Sequence, residues 1–261
     1  MLSFVSHVVL ENHRDFLLHY LALFIMLLWN WCLVTFRVQS HITSTNDLLY
    51  YVTFNNACSR FTWIYLLKNK FDTFTVLKLF KAMVELEFST KIKSLQTGWG
   101  GEFRPLAPYL ANLGINHRLI YPHTHHQNGV VERKHRHIIE LGITLLNHAS
   151  LPLKFQDFAF TIVVYNINRL PTTSLDFLVP YTTLLKNSLD YQFLKPFGCS
   201  CSPFLRPYNK HKLDFRSHEC LFLGYSTSHR LQMSLLLAGC SFTNMSFLMS
   251  LDFFTLSCLN P

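Results

Sequence analysis

Hydrophobic and polar positions divide the chain into stretches of different texture. Residues 16–36 form an almost unbroken apolar run, FLLHYLALFIMLLWNWCLVTF, which is long enough for a helix that crosses about 30 Å of hydrocarbon. From about Ser40 to Arg230, strand-like runs alternate with segments of helical period, a pattern typical of α/β folds. Residues 231–261 are rich in Ser, Leu, Phe and Met without a clear period, and no structure is predicted there.

The longer elements follow from periodicity. Tyr50–Phe54 and Phe61–Leu67 are rich in aromatic and β-branched residues and flank the turn-prone NNACSR, which predicts a β-hairpin. Apolar residues recur at helical spacing over Asp72–Phe88, Val130–Asn147 and Leu153–Asn168. These segments predict three helices.

Shorter elements lie between them. Lys91–Thr97 and His117–Tyr121 are predicted strands, and Pro105–Leu113 is a predicted short helix. Residues 122–129 are predicted to form a loop, in which Asn128–Gly129 would be the turn that leads into the following helix.

Composition favours a polyanionic partner but no particular chemistry. The chain has 261 residues, of which 23 are Lys or Arg and 15 are Asp or Glu, so the net charge is +8 and the pI is about 9.2. Such a balance suits nucleic acid. Seven cysteines without C-x-x-C spacing exclude a zinc ribbon and a secreted disulfide framework, and predict reduced, mostly buried thiols in an intracellular protein.

Five motifs, in one order along the chain, carry a family resemblance. They are YYVTFNNACSRFTWIYLLKNK (50–70), LQTGWGGEF (95–103), PHTHHQNGVVERKHRHIIELG (122–142), NINRLPT (166–172) and LRPYNKHKLDFRSHECLFLGYS (205–226). Together they resemble the integrase region of copia-type retrotransposon polyproteins, especially those of plants, over roughly residues 40–230.

The resemblance implies a ribonuclease-H-like α/β fold, a mixed sheet with flanking helices, over residues 40–190. A small β-rich module would follow at 191–230, and 231–261 stays unassigned. In the family, two aspartates and a glutamate bind two Mg²⁺ or Mn²⁺ ions that promote phosphoryl transfer during DNA strand transfer. The resemblance further implies DNA as partner, a homo-oligomer and a nuclear location.

When the family's three acidic positions are mapped onto this sequence, only one of them holds an acidic residue. Glu132 matches the family's glutamate at the start of a helix. The second aspartate falls on Gly98, and ungapped counting places the first, approximately, at Thr35. Glu102 is a poor substitute because it lies four positions into the loop. We therefore expect a degenerate site that is catalytically inactive and binds no metal cofactor, with Glu132 as a vestigial ligand.

Basic residues near the motifs are candidates for nucleic-acid binding. Arg133, Lys134 and Arg136 follow Glu132 on the helix that lies against DNA in the family, and the alternative is a solvated basic face. Lys210 and Lys212 are further candidates in the β-rich module. The histidines of this region lack cysteine partners and are expected to be solvated. The members are His123, His125, His126, His135 and His137.

The apolar segment before the resemblance has two interpretations. We favour the hypothesis that residues 1–39 are ancestral integrase DNA translated out of frame, an idea that also covers 231–261. The alternative is a membrane anchor at 16–36, which we disfavour because an integrase core has no evident need of a membrane. Whether Trp31–Val38 fill the place of the family's first, central strand stays open. The alternatives to a degenerate integrase are a non-enzymatic DNA-binding or interaction remnant, a small membrane-anchored protein and a pseudogene fragment.

Overall fold

The structure is a computed structural model that describes residues 32–38, 43–98, 100–120, 125–192, 194–203, 220–225, 235–237 and 254–255. The chain divides into two compact units. The described residues of the first unit lie within 32–38, 50–132 and 168–187, and those of the second lie within 43–49, 133–167 and 188–255.

The first unit contains a mixed sheet. The described strands that form it are β1 (Cys32–Val38), β2 (Tyr50–Asn56), β3 (Thr62–Leu67), β4 (Ser94–Thr97) and β5 (Asn116–Leu119). Their order across the sheet is β3-β2-β1-β4-β5. The first three strands are antiparallel, whereas β1, β4 and β5 are parallel. This sheet, with its flanking helices, confirms the predicted ribonuclease-H-like α/β class.

Strand β1 occupies the centre of the sheet, which settles the question that the sequence left open. It pairs with β2 on one side and with β4 on the other, so its backbone finds hydrogen-bond partners at both edges. Cys32–Phe36, the end of the apolar run, is therefore strand rather than helix; residues 16–31 lie outside the described part. No helix among the described residues is long and apolar enough to span a bilayer.

Strands β2 and β3 form the predicted hairpin. The Asn56 side chain closes its turn, because its Oδ1 accepts hydrogen bonds from the backbone N–H groups of Cys58 (3.0 Å) and Ser59 (2.8 Å). The Arg60 backbone N–H donates to the carbonyl of Asn56. An asparagine that caps a turn in this way is a local signal for the hairpin.

Helices flank the sheet of the first unit. Helix α1 (Asp72–Phe88) has the predicted bounds, and α2 (Leu106–Asn112) lies within the predicted 105–113. The short α5 (Pro180–Leu185) also belongs to this unit. Their apolar side chains form one core with one face of the sheet, which includes Val34, Val52, Phe54, Leu77, Phe80, Val84, Leu95, Leu106 and Leu110.

Helix α3 (His125–His148) begins earlier than the sequence predicts. The expected loop at 122–129 is wrong from His125 onward, and Asn128–Gly129 lie within the helix rather than in a turn. Glycine costs a helix interior only about 1 kcal/mol relative to alanine. A strongly periodic helix of this length can therefore extend through it.

The second unit contains the predicted helix at 153–168. A 3₁₀ turn, Leu153–Phe155, leads into α4 (Gln156–Ile167). The Asp157 carboxylate accepts a hydrogen bond from Asn46 Nδ2 at 2.7 Å, and the Thr45 N–H donates to the carbonyl of Lys154. Residues 43–49 are thereby fastened to the start of α4.

The second unit also contains the predicted small β-rich module. Its described strands are β6 (Ser200–Pro203), β7 (Cys220–Phe222), β8 (Leu235–Leu237) and β9 (Phe254–Thr255). Strand β7 lies between β8 and β6, and β6 also pairs with β9. The last two strands fall in 231–261, where the sequence predicted none, because segments of two or three residues are too short to show a period.

Candidate active-site scaffold

The register of β1 against β4 concerns Thr35 and Gly98, the two positions at which the family resemblance predicts aspartates. Leu33 pairs with Gln96 across these parallel strands. Two residues further along each strand stand Thr35 and Gly98, which follows β4 directly. Continued by two residues beyond the observed pairing, this register brings position 35 of β1 level with position 98 directly after β4. Neighbouring strands in a sheet lie about 4.8 Å apart.

Gly98 has room for a side chain. A Cβ atom at this position would meet no heavy atom of the described, non-adjacent residues within 4 Å, and the backbone of Gly98 lies outside the left-handed region. Glycine is therefore not required here by packing or by backbone conformation. A side chain could begin at position 98 without a clash at its Cβ atom.

A buried hydroxyl and an imidazole lie next to Gly98. The Thr97 side chain is buried, and its Oγ1 lies 2.8 Å from His117 Nε2 on β5 and 3.1 Å from the carbonyl oxygen of Gly98. Both contacts are satisfied when a neutral imidazole donates from Nε2 to Oγ1 and the hydroxyl donates to the Gly98 carbonyl. Burial lowers the pKa of His117, which favours that neutral form.

A row of hydrogen-bonded, buried polar side chains on β3 and β2 ends opposite Thr35 of β1. Thr62 Oγ1 donates to Asn55 Oδ1 at 2.9 Å, and Asn55 Nδ2 donates to Thr53 Oγ1 at 3.3 Å. Thr53 is the residue directly opposite Thr35 in the β1–β2 pairing. All three described side chains of the row are buried, so the row satisfies its polar atoms internally.

Asn168 fastens the outer end of this row. Its Nδ2 donates to the Thr62 carbonyl at 2.7 Å, and its Oδ1 accepts from the Thr62 N–H at 2.9 Å. The Asn168 carbonyl also accepts a hydrogen bond from the Tyr181 N–H. Sequence reasoning assigned no role to Asn168, although the family motif NINRLPT contains it. It likewise missed Thr97 and His117, for which no local pattern gave a signal.

Glu132 and the basic residues after it lie on α3. Glu132 and Lys134 are partly buried, whereas Arg133, Arg136 and His137 are exposed. Because residues three and four apart share one side of a helix, Arg133 and Arg136 are neighbours on the helix surface. Their role in DNA binding stays a prediction, as does that of Lys134.

The donor set does not fit the family's pair of divalent cations. Of the three positions, only Glu132 offers a carboxylate, and Gly98 offers no side chain. No group of three or more His, Cys, Asp and Glu side chains that could hold a metal occurs among the described residues. Two hard cations need several anionic oxygen ligands, so no reaction step is assigned to a metal here.

Several predicted site residues lie outside the described part of the chain. They are His123, Lys210 and Lys212, together with the side chains of Thr35, Glu102, His125 and His126.

Solved structures with a similar fold come from retroviral integrases. The catalytic core domain of HTLV-2 integrase, in complex with magnesium, has a TM-score of 0.43 at 16% identity and covers 59% of this chain and 95% of its own. The core domain of BIV integrase has a TM-score of 0.41 at 15% identity and covers 60% of this chain and 95% of its own.

Sequence relatives match a larger part of the chain at higher identity. Residues 199–231 match the family described as the retroviral polymerase SH3-like domain. The Pol polyproteins of transposons RE2 and RE1 from Arabidopsis thaliana are 47% and 46% identical over 188 residues, which is 72% of this chain and 13% of each relative. The Pol polyprotein of transposon TNT 1-94 from Nicotiana tabacum is 38% identical over 186 residues, 70% of this chain and 14% of that relative.

The chain thus spans about an eighth of the length of the curated relatives it matches. The chain belongs to the copia-type retrotransposon Pol polyproteins and represents their integrase region.

Proposed function

We propose that this chain is an integrase core that has kept its scaffold and a DNA-binding surface but does not catalyse strand transfer. The observation that carries the proposal is the pair of positions that the continued register brings level, one on β1 and one directly after β4. They hold Thr35 and Gly98, where the family resemblance implies aspartates, while Glu132 alone is retained.

The chemistry of strand transfer explains why these two substitutions matter. Two closely spaced divalent cations repel each other, and carboxylates that bridge or flank them offset this repulsion. A single Glu132 carboxylate supplies one negative charge, and Mg²⁺ held by one carboxylate stays largely hydrated. The attacking hydroxyl and the leaving oxygen would then lack electrostatic stabilisation.

A strand-transfer assay tests the loss of activity. The purified full chain, given Mn²⁺ and a DNA duplex with a free 3′-hydroxyl end, should form no joined product above the level of Glu132→Gln. The double variant Thr35→Asp/Gly98→Asp should gain Mn²⁺ affinity, measured by electron paramagnetic resonance or calorimetry. Strand transfer by the wild-type chain that disappears in Glu132→Gln would contradict the proposal.

Retained DNA binding is supported by charge and exposure. The chain carries a net charge of +8, and Arg133 and Arg136 present guanidinium groups to solvent on one side of α3. Guanidinium groups bind phosphate oxygens with two parallel hydrogen bonds. Such contacts release counterions and make affinity fall with salt.

A comparison of two charge-matched variants tests the DNA surface. Arg133→Ala/Arg136→Ala should weaken binding to a random-sequence duplex and should reduce the slope of log K against log salt by about 2, near one unit per lost phosphate contact. Lys91→Ala/Lys93→Ala removes the same charge from other exposed positions and should change the slope little. Equal effects of both pairs would show that DNA binding depends on net charge alone and not on the α3 surface.

The expected homo-oligomer remains part of this proposal. The HTLV-2 core is described as a trimeric form, and size-exclusion chromatography with light scattering on the full chain would measure the corresponding state here. A monomer at all accessible concentrations would contradict it.

A further inference from the structure

We propose that Cys201 and Cys220, in the region that matches the SH3-like domain, form a thiol–disulfide pair that a low-molecular-weight disulfide can oxidise. This inference is independent of the proposed function, because it concerns a different unit of the chain and needs neither DNA nor Glu132. It assigns a modification site to the β-rich module.

The strand register carries the proposal. Cys201 on β6 and Cys220 on β7 are direct partners in an antiparallel pair. Directly opposed residues in such a pair have Cα atoms about 4.5 to 5.5 Å apart and side chains on the same face. That separation lies within the range of about 4.4–6.8 Å over which disulfides form.

The Cys201 thiol already lies at its partner residue. Its Sγ donates a hydrogen bond to the Cys220 carbonyl oxygen at 3.4 Å. The two cysteines are separated by 19 positions in sequence, so a bond between them would close a long loop. Neither Cys201 nor Cys220 forms a disulfide in this structure.

The third nearby thiol, Cys199, has a different neighbour. The register that pairs Cys201 with Cys220 and Ser200 with Leu221 places Phe222 opposite Cys199. The Phe222 N–H donates to the Cys199 carbonyl at 2.9 Å, in agreement with that placement. A bond from Cys199 to Cys220 would therefore need a shift of register.

The surroundings of the pair favour a durable disulfide. Both residues are buried in one apolar cluster with Phe155, Phe197 and Phe222. A disulfide is as apolar as the two thiols it replaces, and burial slows attack by external thiolates. Oxidation should accordingly proceed during folding or during local opening of the module.

The reaction balances with glutathione disulfide as oxidant. One cysteine thiolate attacks a glutathione sulfur, which releases one glutathione thiolate and leaves a mixed disulfide. The second cysteine thiolate attacks the protein sulfur of that mixed disulfide and releases the other glutathione. Two S–H bonds are lost, one S–S bond forms, and the two electrons reduce glutathione disulfide to two thiols.

Peptide mapping of the full chain tests the proposal. The chain is refolded with glutathione disulfide, alkylated and digested with trypsin without reduction. Trypsin does not cut before proline, so Cys199 and Cys201 remain in one peptide, 187–210, while Cys220 lies in 217–230. The two peptides should appear linked, should separate on reduction, and fragmentation should assign the link to Cys201.

Variants separate this pair from the other thiols. Cys199→Ser and Cys58→Ser should each keep the link, and Cys201→Ser should lose it. In the oxidised chain, transient opening of the module, measured by hydrogen exchange, should fall on the order of a hundredfold, as expected for closure of a loop of this length. Linkage through Cys199, scrambled pairing, or two alkylated thiols under oxidising conditions would overturn the proposal, whether or not Cys201→Ser folds.

Discussion

The two faces of the five-stranded sheet are built on different chemistry. One face carries apolar side chains such as Val34, Phe54 and Leu95, which belong to the core formed with α1 and α2. The alternate residues on the same strands include Thr53, Asn55 and Gln96, which are polar and also buried. Alternation along a strand places positions 35 and 98 with this second set.

This difference between the two faces explains how a fold can persist without its catalytic residues. The apolar face supplies burial free energy through side chains that no active site requires. The polar face is stabilised by hydrogen bonds among its own members, and these do not include a carboxylate at position 35 or 98. If the family's aspartates are absent at these two positions, as we propose, reactivity would be lost while the contacts that fix the sheet remain.

The apolar face should give the largest loss of stability. Phe80 of α1 is fully buried and stacks on Phe54, with ring centroids 4.0 Å apart and planes inclined by 8°; it also meets the Trp63 ring edge-on. Phe80→Ala should reduce the free energy of unfolding by about 3–5 kcal/mol in urea titrations. Leu79→Ala, at the exposed neighbouring position, should cost less than about 1 kcal/mol. Similar effects of the two variants would contradict the assignment of this core.

Substitution of Asn168, which is bonded to the polar face, should cause a smaller loss of stability than Phe80→Ala. Asn168→Ala removes both hydrogen bonds to the Thr62 backbone and leaves a buried N–H and a buried carbonyl without that partner. Each such group costs about 1–3 kcal/mol; with both costs in the lower half of that range, we expect a total loss of about 2–4 kcal/mol in the same titration. The exposed Asn147→Ala is the control and should be nearly neutral. If Asn168→Ala leaves the free energy of unfolding unchanged, the hydrogen bonds from Asn168 to Thr62 do not stabilise the polar row.

Elements with many residues in one period were predictable from sequence. Helix α1 matches its predicted bounds because its apolar positions recur over 17 residues. The hairpin was predictable because its turn carries a local signal at Asn56. The central strand was not, since the apolar run before Val38 satisfies helix and strand equally well. Only pairing with β2 and β4, which no sequence window contains, decides for a strand.

The sequence supplied candidate positions for the site, which stay predictions, but it did not show the contacts around them. The motifs located Gly98 and Glu132, and the register then placed Thr35 beside Gly98. The contact of Thr97 with His117 joins residues 20 positions apart, and the bond of Asn168 to Thr62 spans 106 positions. Contacts of this range depend on the assembled sheet and leave no trace in local periodicity.

His117 should add a small pH dependence to the stability of the first unit. Burial lowers the pKa of His117 in the folded protein, so the folded state binds fewer protons than the unfolded state. The stability it contributes is complete above the unfolded pKa of about 6.5 and is lost as the pH falls below it. His117→Gln should flatten the change in unfolding midpoint between pH 7.5 and pH 5 relative to wild type. An unchanged slope would mean that His117 titrates alike in both states.

Gly98 should give the smallest effect, because neither face depends on it. A Cβ atom there meets nothing within 4 Å, so Gly98→Asp should change the free energy of unfolding by no more than about 0.5 kcal/mol. Gly142 of α3 is the matched contrast, since a Cβ atom there would collide with the buried Phe160 ring; Gly142→Ala should destabilise despite its better helix propensity. Both are measured in urea without divalent cations. A large cost for Gly98→Asp would mean that the fold no longer accommodates a carboxylate at position 98, and stability would then depend on this position.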